Sequence, residues 1–250
     1  MENKVKIATI IGARPQFVKA ACVSREIKKH SGDVEEIIIH TGQHYDYGMS
    51  EVFFKELEIP EPKYNLGISS LSHGAMTGRM IEKLEEVLIS EKPDIVLLYG
   101  DTNSTLAGAI TAVKLHIPVA HVEAGLRSFN NLMPEEINRI LTDRISSLLF
   151  VPTGSAVSNL KNEGFDNFGS KIVRSGDVMY DSLLFNKNKA VKPDFDIPEE
   201  FILSTIHRPE TTNFVENLNN CLEVFNECTL PVLLILHPGT KEKIAKYNIS

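Results

Sequence analysis

The sequence predicts an α/β fold in which a parallel sheet is covered by helices on both faces, followed by a second, shorter unit of the same kind. Two observations carry that expectation. Short apolar runs alternate with amphipathic stretches along most of the chain, which is the pattern of repeated βαβ units. The rhythm breaks at NKNKAVKPDFDI (188–199), where a proline and scattered charges replace it, and then restarts. This places a Rossmann-like domain over 1–175 and, over 176–250, a linker with the beginning of a second Rossmann-like domain.

The elements follow in order. VKIATII is the first strand; its apolar run 7–11 is too short for a signal-peptide core and stops at Gly12-Ala13-Arg14-Pro15. A helix over 15–29 follows, with Pro15 in the first turn, where a missing N–H is tolerated. VEEIIIH is the second strand, followed by helices over 46–57 and 71–91, the latter with an apolar stripe of Met76, Met80, Leu84 and Val87. DIVLLYG precedes a helix over 102–115, IPVAHVE one over 134–145, SLLFVP one over 153–163, and KIVRSG one over 178–187. After the break come FILSTIH, a helix over 213–228 with Cys221 and Cys228 beside Leu222 and Phe225 as core, PVLLIL, and a helix over 239–247. Two strands leave open sheet edges, so the second unit reads as truncated, and the chain as a fragment or as one completed from elsewhere.

Composition bounds the function. With 42% hydrophobic residues in 250, the chain can bury a substantial core. A net charge of −7 and the lack of a dense Lys/Arg tract argue against a nucleic-acid partner. No apolar run approaches the ~20 residues of a membrane span. Cys22, Cys221 and Cys228 cannot all pair, and none lies in a CxxC motif, which suits a reduced, cytoplasmic chain. His40 and His44 lie four apart at a strand–loop junction with no carboxylate or cysteine at useful spacing, so no metal site is expected.

In open α/β sheets ligands bind outside the carboxyl ends of the strands. The residues there are Gly12-Ala13-Arg14, Gln43-His44, Gly100-Asp101, Glu123, His207-Arg208 and His237. Arg14, with Lys19 one turn on, gives two cations at a helix N-terminus, an arrangement that suits a diphosphate or, more plainly, a solvated strand-to-helix turn. Neither GxGxxG nor GxxxxGK[ST] is present, against dinucleotide and P-loop readings. Asp101 can serve as the N-cap of the helix 102–115 or face a ligand. Glu123, at the end of an apolar strand, must be paired or hydrogen-bonded; a bridge to Arg127 or Arg139 is the plain alternative to acid–base work. On the helix 134–145, at about 100° per residue, Ile137, Ile140, Leu141 and Ile145 share one broad face. Glu135 and Arg139 lie nearly opposite, and Glu136 points away from Glu135. That acid and cation are either a solvated pair worth under ~1 kcal/mol or groups delivered to a cleft. His207 with Arg208, and His237, end successive strands of the second unit; one such histidine is often only a hydrogen-bonded loop residue, whereas two at successive strand ends, one followed by Arg, more often face a ligand.

Taken together, GARPQFVK, TGQH, YGDTNSTLAG, HVEAGLRS, MPEEINRILTD and TIHRPE resemble the non-hydrolysing UDP-N-acetylglucosamine 2-epimerases, in that family's order and spacing, from Lys6 to the end. The resemblance implies two Rossmann-like domains in a GT-B-like arrangement, a homodimer, and no redox cofactor. The implied activity is epimerisation at C2 of a UDP-N-acetylhexosamine, UDP-GlcNAc to UDP-ManNAc, by elimination of UDP and its re-addition, in polysaccharide biosynthesis. By motif it assigns catalytic roles to Asp101, Glu123, Glu135 and His207, and substrate-binding roles to Arg14, Lys19 and Arg139, with Arg208 and His237 beside them. The segment RSFNNLMPEEINRILTD also resembles a branch acting on UDP-2,3-diacetamido-glucuronate. Two departures stand out. Pro209 follows His207-Arg208 where many members have another arginine, and Tyr45 follows TGQH where allosterically activated members have a basic residue. A nucleotide-sugar binding fragment without activity, a hydrolysing relative and a glycosyltransferase remain as alternatives.

Overall fold

The computed structural model describes residues 4–43 and 54–249. The chain divides into two compact units, Met1–Ala190 and Val191–Ser250.

In the first unit the strands are β1 (Val5–Ile11), β2 (Val34–His40), β3 (Tyr64–Asn65), β4 (Ile95–Tyr99), β5 (Val119–Val122), β6 (Leu148–Val151) and β7 (Lys171–Arg174). They form a sheet in the order β3-β2-β1-β4-β5-β6-β7, and every pair is parallel. The helices are α1 (Arg14–Lys29), α2 (His73–Glu91), α3 (Asn103–Lys114), α4 (Pro134–Ile145), α5 (Gly154–Asn162) and α6 (Val178–Asn186). The βα rhythm thus yields the expected sheet. Two-residue β3 escaped notice because nothing so short carries a period. The helix expected over 46–57 falls largely outside the described residues.

The strands read as continuous apolar runs because both faces are covered. Alternate residues of β4 divide between two cores: Val96 and Leu98 pack with the Met76–Met80–Leu84–Val87 stripe of α2 and with Ala107, Ala109 and Ala112 of α3. Leu97 and Tyr99 pack with Phe17, Ala20 and Ala21 of α1 on the opposite face. A third cluster, around Leu149, Val151, Ala156 and Leu160, holds α5 against β6. Helix α6, which the sequence reading grouped with the linker, lies in the first compact unit, where Arg25 of α1 stacks over its Phe185.

The second unit contains β8 (Ile202–Ile206), α7 (Val215–Asn226), β9 (Val232–Leu236) and α8 (Pro238–Tyr247). Its two strands are parallel, in register from Ile202 opposite Val232 to Ile206 opposite Leu236. Leu218 is fully buried, whereas Leu203, Val224 and Ile235 are exposed, as two strands, two longer helices and the single turn Pro209–Thr212 enclose little core. Cys221 and Cys228, expected in the core, are only half-buried free thiols.

Candidate functional site

Sheet order reverses between β1 and β4, so their carboxyl ends open a crevice at the topological switch point. The loops above it are locked by Gln16. Its Oε1 accepts from the backbone N–H groups of Gly12 (2.8 Å) and Ala13 (3.0 Å), while its Nε2 donates to the Tyr99 carbonyl and to Thr105 Oγ1, both at 3.0 Å. One buried amide therefore ties the β1–α1 turn to the β4–α3 turn. Gly12 is required by close approach, since a Cβ there would lie 1.9 Å from Thr41 Oγ1 and 2.3 Å from Ser104 Oγ. Gln43, a strand-end candidate, is used structurally: its Oε1 accepts from the N–H and hydroxyl of Ser104. His44 lies outside the described residues.

Two ion pairs stand at this edge. Lys19 reaches from α1 across β4 to Glu123, and Arg139 Nη2 of α4 meets Asp101 Oδ2 at 2.6 Å. The expected alternative partners of Glu123, Arg127 and Arg139, are otherwise engaged, Arg127 with Asp143 and Glu163 and Arg139 with Asp101 and Glu136. Nor is Asp101 the N-cap: Thr102 takes that place, its hydroxyl accepting from Thr105 N–H, which leaves the Asp101 carboxylate for Arg139. Asn138 of α4 donates to the Asp101 carbonyl (2.9 Å), so the turn is held from above as well. Glu123 has φ +73°, a left-handed conformation costing about 1–3 kcal/mol in a non-glycine residue and concentrated at functional sites. Gly100 has φ +62°, and a Cβ on it would sit 3.2 Å from Lys19 Nζ and 3.3 Å from Glu123 Oε2. The glycine makes room for the pair.

Helix α4 corrects the amphipathic reading. Ile137 and Leu141, on the broad apolar face, are both 46% exposed, whereas Glu136, Asn138, Thr142 and Asp143 are buried. The helix turns a polar face inward because that face carries the site's supports. Glu135 is exposed, one turn from Arg139. Glu136 accepts from the backbone N–H groups of Ser128 (3.0 and 2.9 Å) and Phe129 (2.8 Å), shaping the loop before α4. Burial pushes its carboxyl up, but these N–H donors and Arg139 outweigh burial and hold it below the ordinary 4.5. The stability it contributes is thus complete above the unfolded value and lost as pH falls through the lowered folded value. Glu136→Gln is expected to cost about 1.5–3 kcal/mol at pH 7, with the gap from the parent closing as pH falls; urea titrations across pH measure it.

Arg14 opens α1 at its exposed end. In the second unit His207 and Arg208 follow β8 and His237 follows β9, all exposed, with the two histidine rings 6.2 Å apart. His237 also caps α8, its Nδ1 accepting from Gly239 N–H (3.2 Å).

Sequence reasoning passed over a buried cluster behind this edge. His121 Nδ1 lies 2.7 Å from Asp143 Oδ1 and its Nε2 lies 2.7 Å from the Gly100 carbonyl. Asp143 Oδ2 accepts from Gly125 N–H (3.0 Å) and Arg127 Nη1 (2.7 Å), and Arg127 forks onto Glu163 through Nε (2.7 Å) and Nη2 (2.8 Å). The available signal was a histidine inside an apolar strand whose four residues VAHV are all buried, so that its ring must find polar partners inside.

Comparison with known proteins gives the site a context. The family model described as UDP-N-acetylglucosamine 2-epimerase matches residues 25–249. A UDP-N-acetylglucosamine 2-epimerase homolog of Methanococcus maripaludis is 55% identical over 252 residues, covering 98% of this chain and 69% of the relative. UDP-2,3-diacetamido-2,3-dideoxy-D-glucuronate 2-epimerase of Pseudomonas aeruginosa is 54% identical over 249 residues, covering 98% and 70%. The crystal structure of UDP-GlcNAc 2-epimerase from Methanocaldococcus jannaschii in complex with UDP-GlcNAc and UDP superposes with a TM-score of 0.86 at 43% identity, covering 98% and 69%.

Proposed function

The chain belongs to the UDP-N-acetylglucosamine 2-epimerase family, and from that membership we propose that it inverts C2 of a UDP-N-acetylhexosamine, UDP-GlcNAc to UDP-ManNAc, by eliminating UDP and adding it back. A base removes the C2 proton while the C1–O bond breaks and UDP leaves with its electron pair, giving a 2-acetamidoglucal. Re-addition delivers a proton to the opposite face of C2. The observation that carries this reading is the convergence of Lys19, Glu123, Asp101 and Arg139 on neighbouring strand ends at the switch point. Inversion needs proton-transfer groups on both faces of the ring, and departure of a diphosphate needs cations.

We assign proton transfer and stabilisation of the electron-poor C1 to Asp101, Glu123 and Glu135, and the departing diphosphate to Arg14 and Lys19, with Arg139 setting Asp101. The resemblance of TIHRPE to the family motif is our ground for giving His207 a catalytic role, and the strand-end positions of Arg208 and His237 are our ground for giving them to substrate. We take 1–175 as the Rossmann-like domain and 176–250 as linker and start of a second such domain, the linker's first part, helix α6, packing within the first compact unit. We also take the protein to act as a homodimer in the cytoplasm. Its three cysteines are free thiols, and among the described residues no helix is long and apolar enough to cross a membrane.

Full-length protein with UDP-GlcNAc in deuterated water is expected to place deuterium at C2 of substrate and product; retention of protium during turnover overturns the proposal. A second substrate is favoured by the 54% identity to the Pseudomonas aeruginosa enzyme over 249 residues. In that reading the same chemistry acts on UDP-2,3-diacetamido-glucuronate, and a higher kcat/KM for that sugar than for UDP-GlcNAc would select it.

A further inference from the structure

Both ring nitrogens of His121 face acceptors. Opposite Nε2 is the carbonyl oxygen of Gly100, which cannot donate. Opposite Nδ1 is Asp143, whose other oxygen already accepts two N–H groups. Burial pushes the Asp143 carboxyl up, but His121 and Arg127 outweigh it and hold the group below its ordinary value, so it is an acceptor on both oxygens. His121 and Asp143 are wholly buried, and Arg127 is nearly so. A neutral imidazole, having one N–H, would leave one lone pair pressed against another at 2.7 Å with no water to intervene. With both protons present, His121 and Arg127 offset Asp143 and Glu163, two cations against two carboxylates.

The cluster's connections give it a purpose. His121 sits on β5 two residues before Glu123, it grips the carbonyl of the residue before Asp101, and Asp143 lies one turn beyond Arg139 on α4. The three segments that carry the proposed acid–base groups therefore meet at one imidazole. We propose that His121 is a positioning residue, a buried doubly protonated imidazolium that pins the Gly100–Asp101 turn and helix α4 in the geometry the carboxylates need. It touches no substrate. The kinetic consequence rests on the epimerase reading; the protonation state does not.

The test uses the full chain labelled with ¹⁵N-histidine, free of substrate at pH 7.5, with His121→Asn identifying the His121 signals by their loss. Two N–H protons on this ring are expected; a neutral tautomer, with one bare nitrogen, overturns the proposal. In Asp143→Asn, which keeps the ring but removes the facing charge, the ring is expected to lose one proton, and an unchanged spectrum counts against it. With UDP-sugar, folded His121→Asn is expected to lower kcat on the order of 10²-fold with KM held within about threefold. An unchanged kcat, or a loss confined to KM, overturns the positioning role. If the parent protein epimerises no UDP-sugar, the functional reading fails while the ring spectrum still decides the protonation state.

Discussion

Glu123→Gln is expected to abolish most of the exchange at C2, lowering kcat by about 10²–10⁴-fold, the range that a lost general acid or base spans. The amide is nearly isosteric, and Gly100 leaves room for it, so the fold and the positive φ at position 123 are kept. Lys19, now facing a neutral group, is released toward the diphosphate. Affinity for UDP by calorimetry is therefore expected to hold or rise while turnover collapses, a split that general damage to the protein does not produce. Lys19→Met is expected to do the opposite and weaken UDP. Turnover within about threefold of the parent in Glu123→Gln would remove Glu123 from the chemistry.

The second large effect is at the other pair. Arg139 bonds Asp101 and also lies 3.4 Å from Glu136, so Arg139→Met leaves two carboxylates without their cation. Asp101→Asn keeps the shape but removes the charge. Each change is expected to lower kcat/KM by about 10²–10³-fold. Groups that act as one unit are strongly non-additive, so the double variant is expected to be no worse than the more damaged single one. Full additivity in that cycle would mean that the 2.6 Å contact does not operate in the reaction.

Much of this was legible in the sequence, for reasons that also explain the failures. The parallel sheet was visible because strands covered on both faces are continuous apolar runs and the helices between them keep a 3.6-residue period. Glu123 and Asp101 were visible because charge at a strand end is costly unless used or paired, and Lys19 and Arg139 because they lie one turn from Arg14 and Glu135 on helices that open at those strand ends. What periodicity hid was partnership. Lys19 and Glu123 are 104 residues apart, and no local rule brings them together. Helix α4 misled because hydrophobicity implies an apolar inner face, whereas here the buried surface supports a polar site through Glu136, Asn138 and Asp143 and leaves Ile137 and Leu141 half in solvent. Gln16 sat inside a motif already singled out, yet its neighbours Arg14 and Lys19 drew the attention charge attracts, while its uncharged amide makes two bonds within its own turn and two across to the β4–α3 turn.

In the proposed reaction UDP leaves and returns at a site where carboxylates handle the C2 proton and cations hold the diphosphate. Positional isotope exchange tests this most directly. UDP-GlcNAc carrying ¹⁸O in the bridge between C1 and the β-phosphorus is incubated with the full-length protein and recovered. The label is expected to migrate into non-bridging β-phosphate positions while C2 exchanges its proton with solvent, and both processes are expected to be lost together in Glu123→Gln. Epimerisation with all the ¹⁸O still in the bridge and with the C2 proton retained would show inversion without elimination, and would contradict the proposed chemistry at its centre.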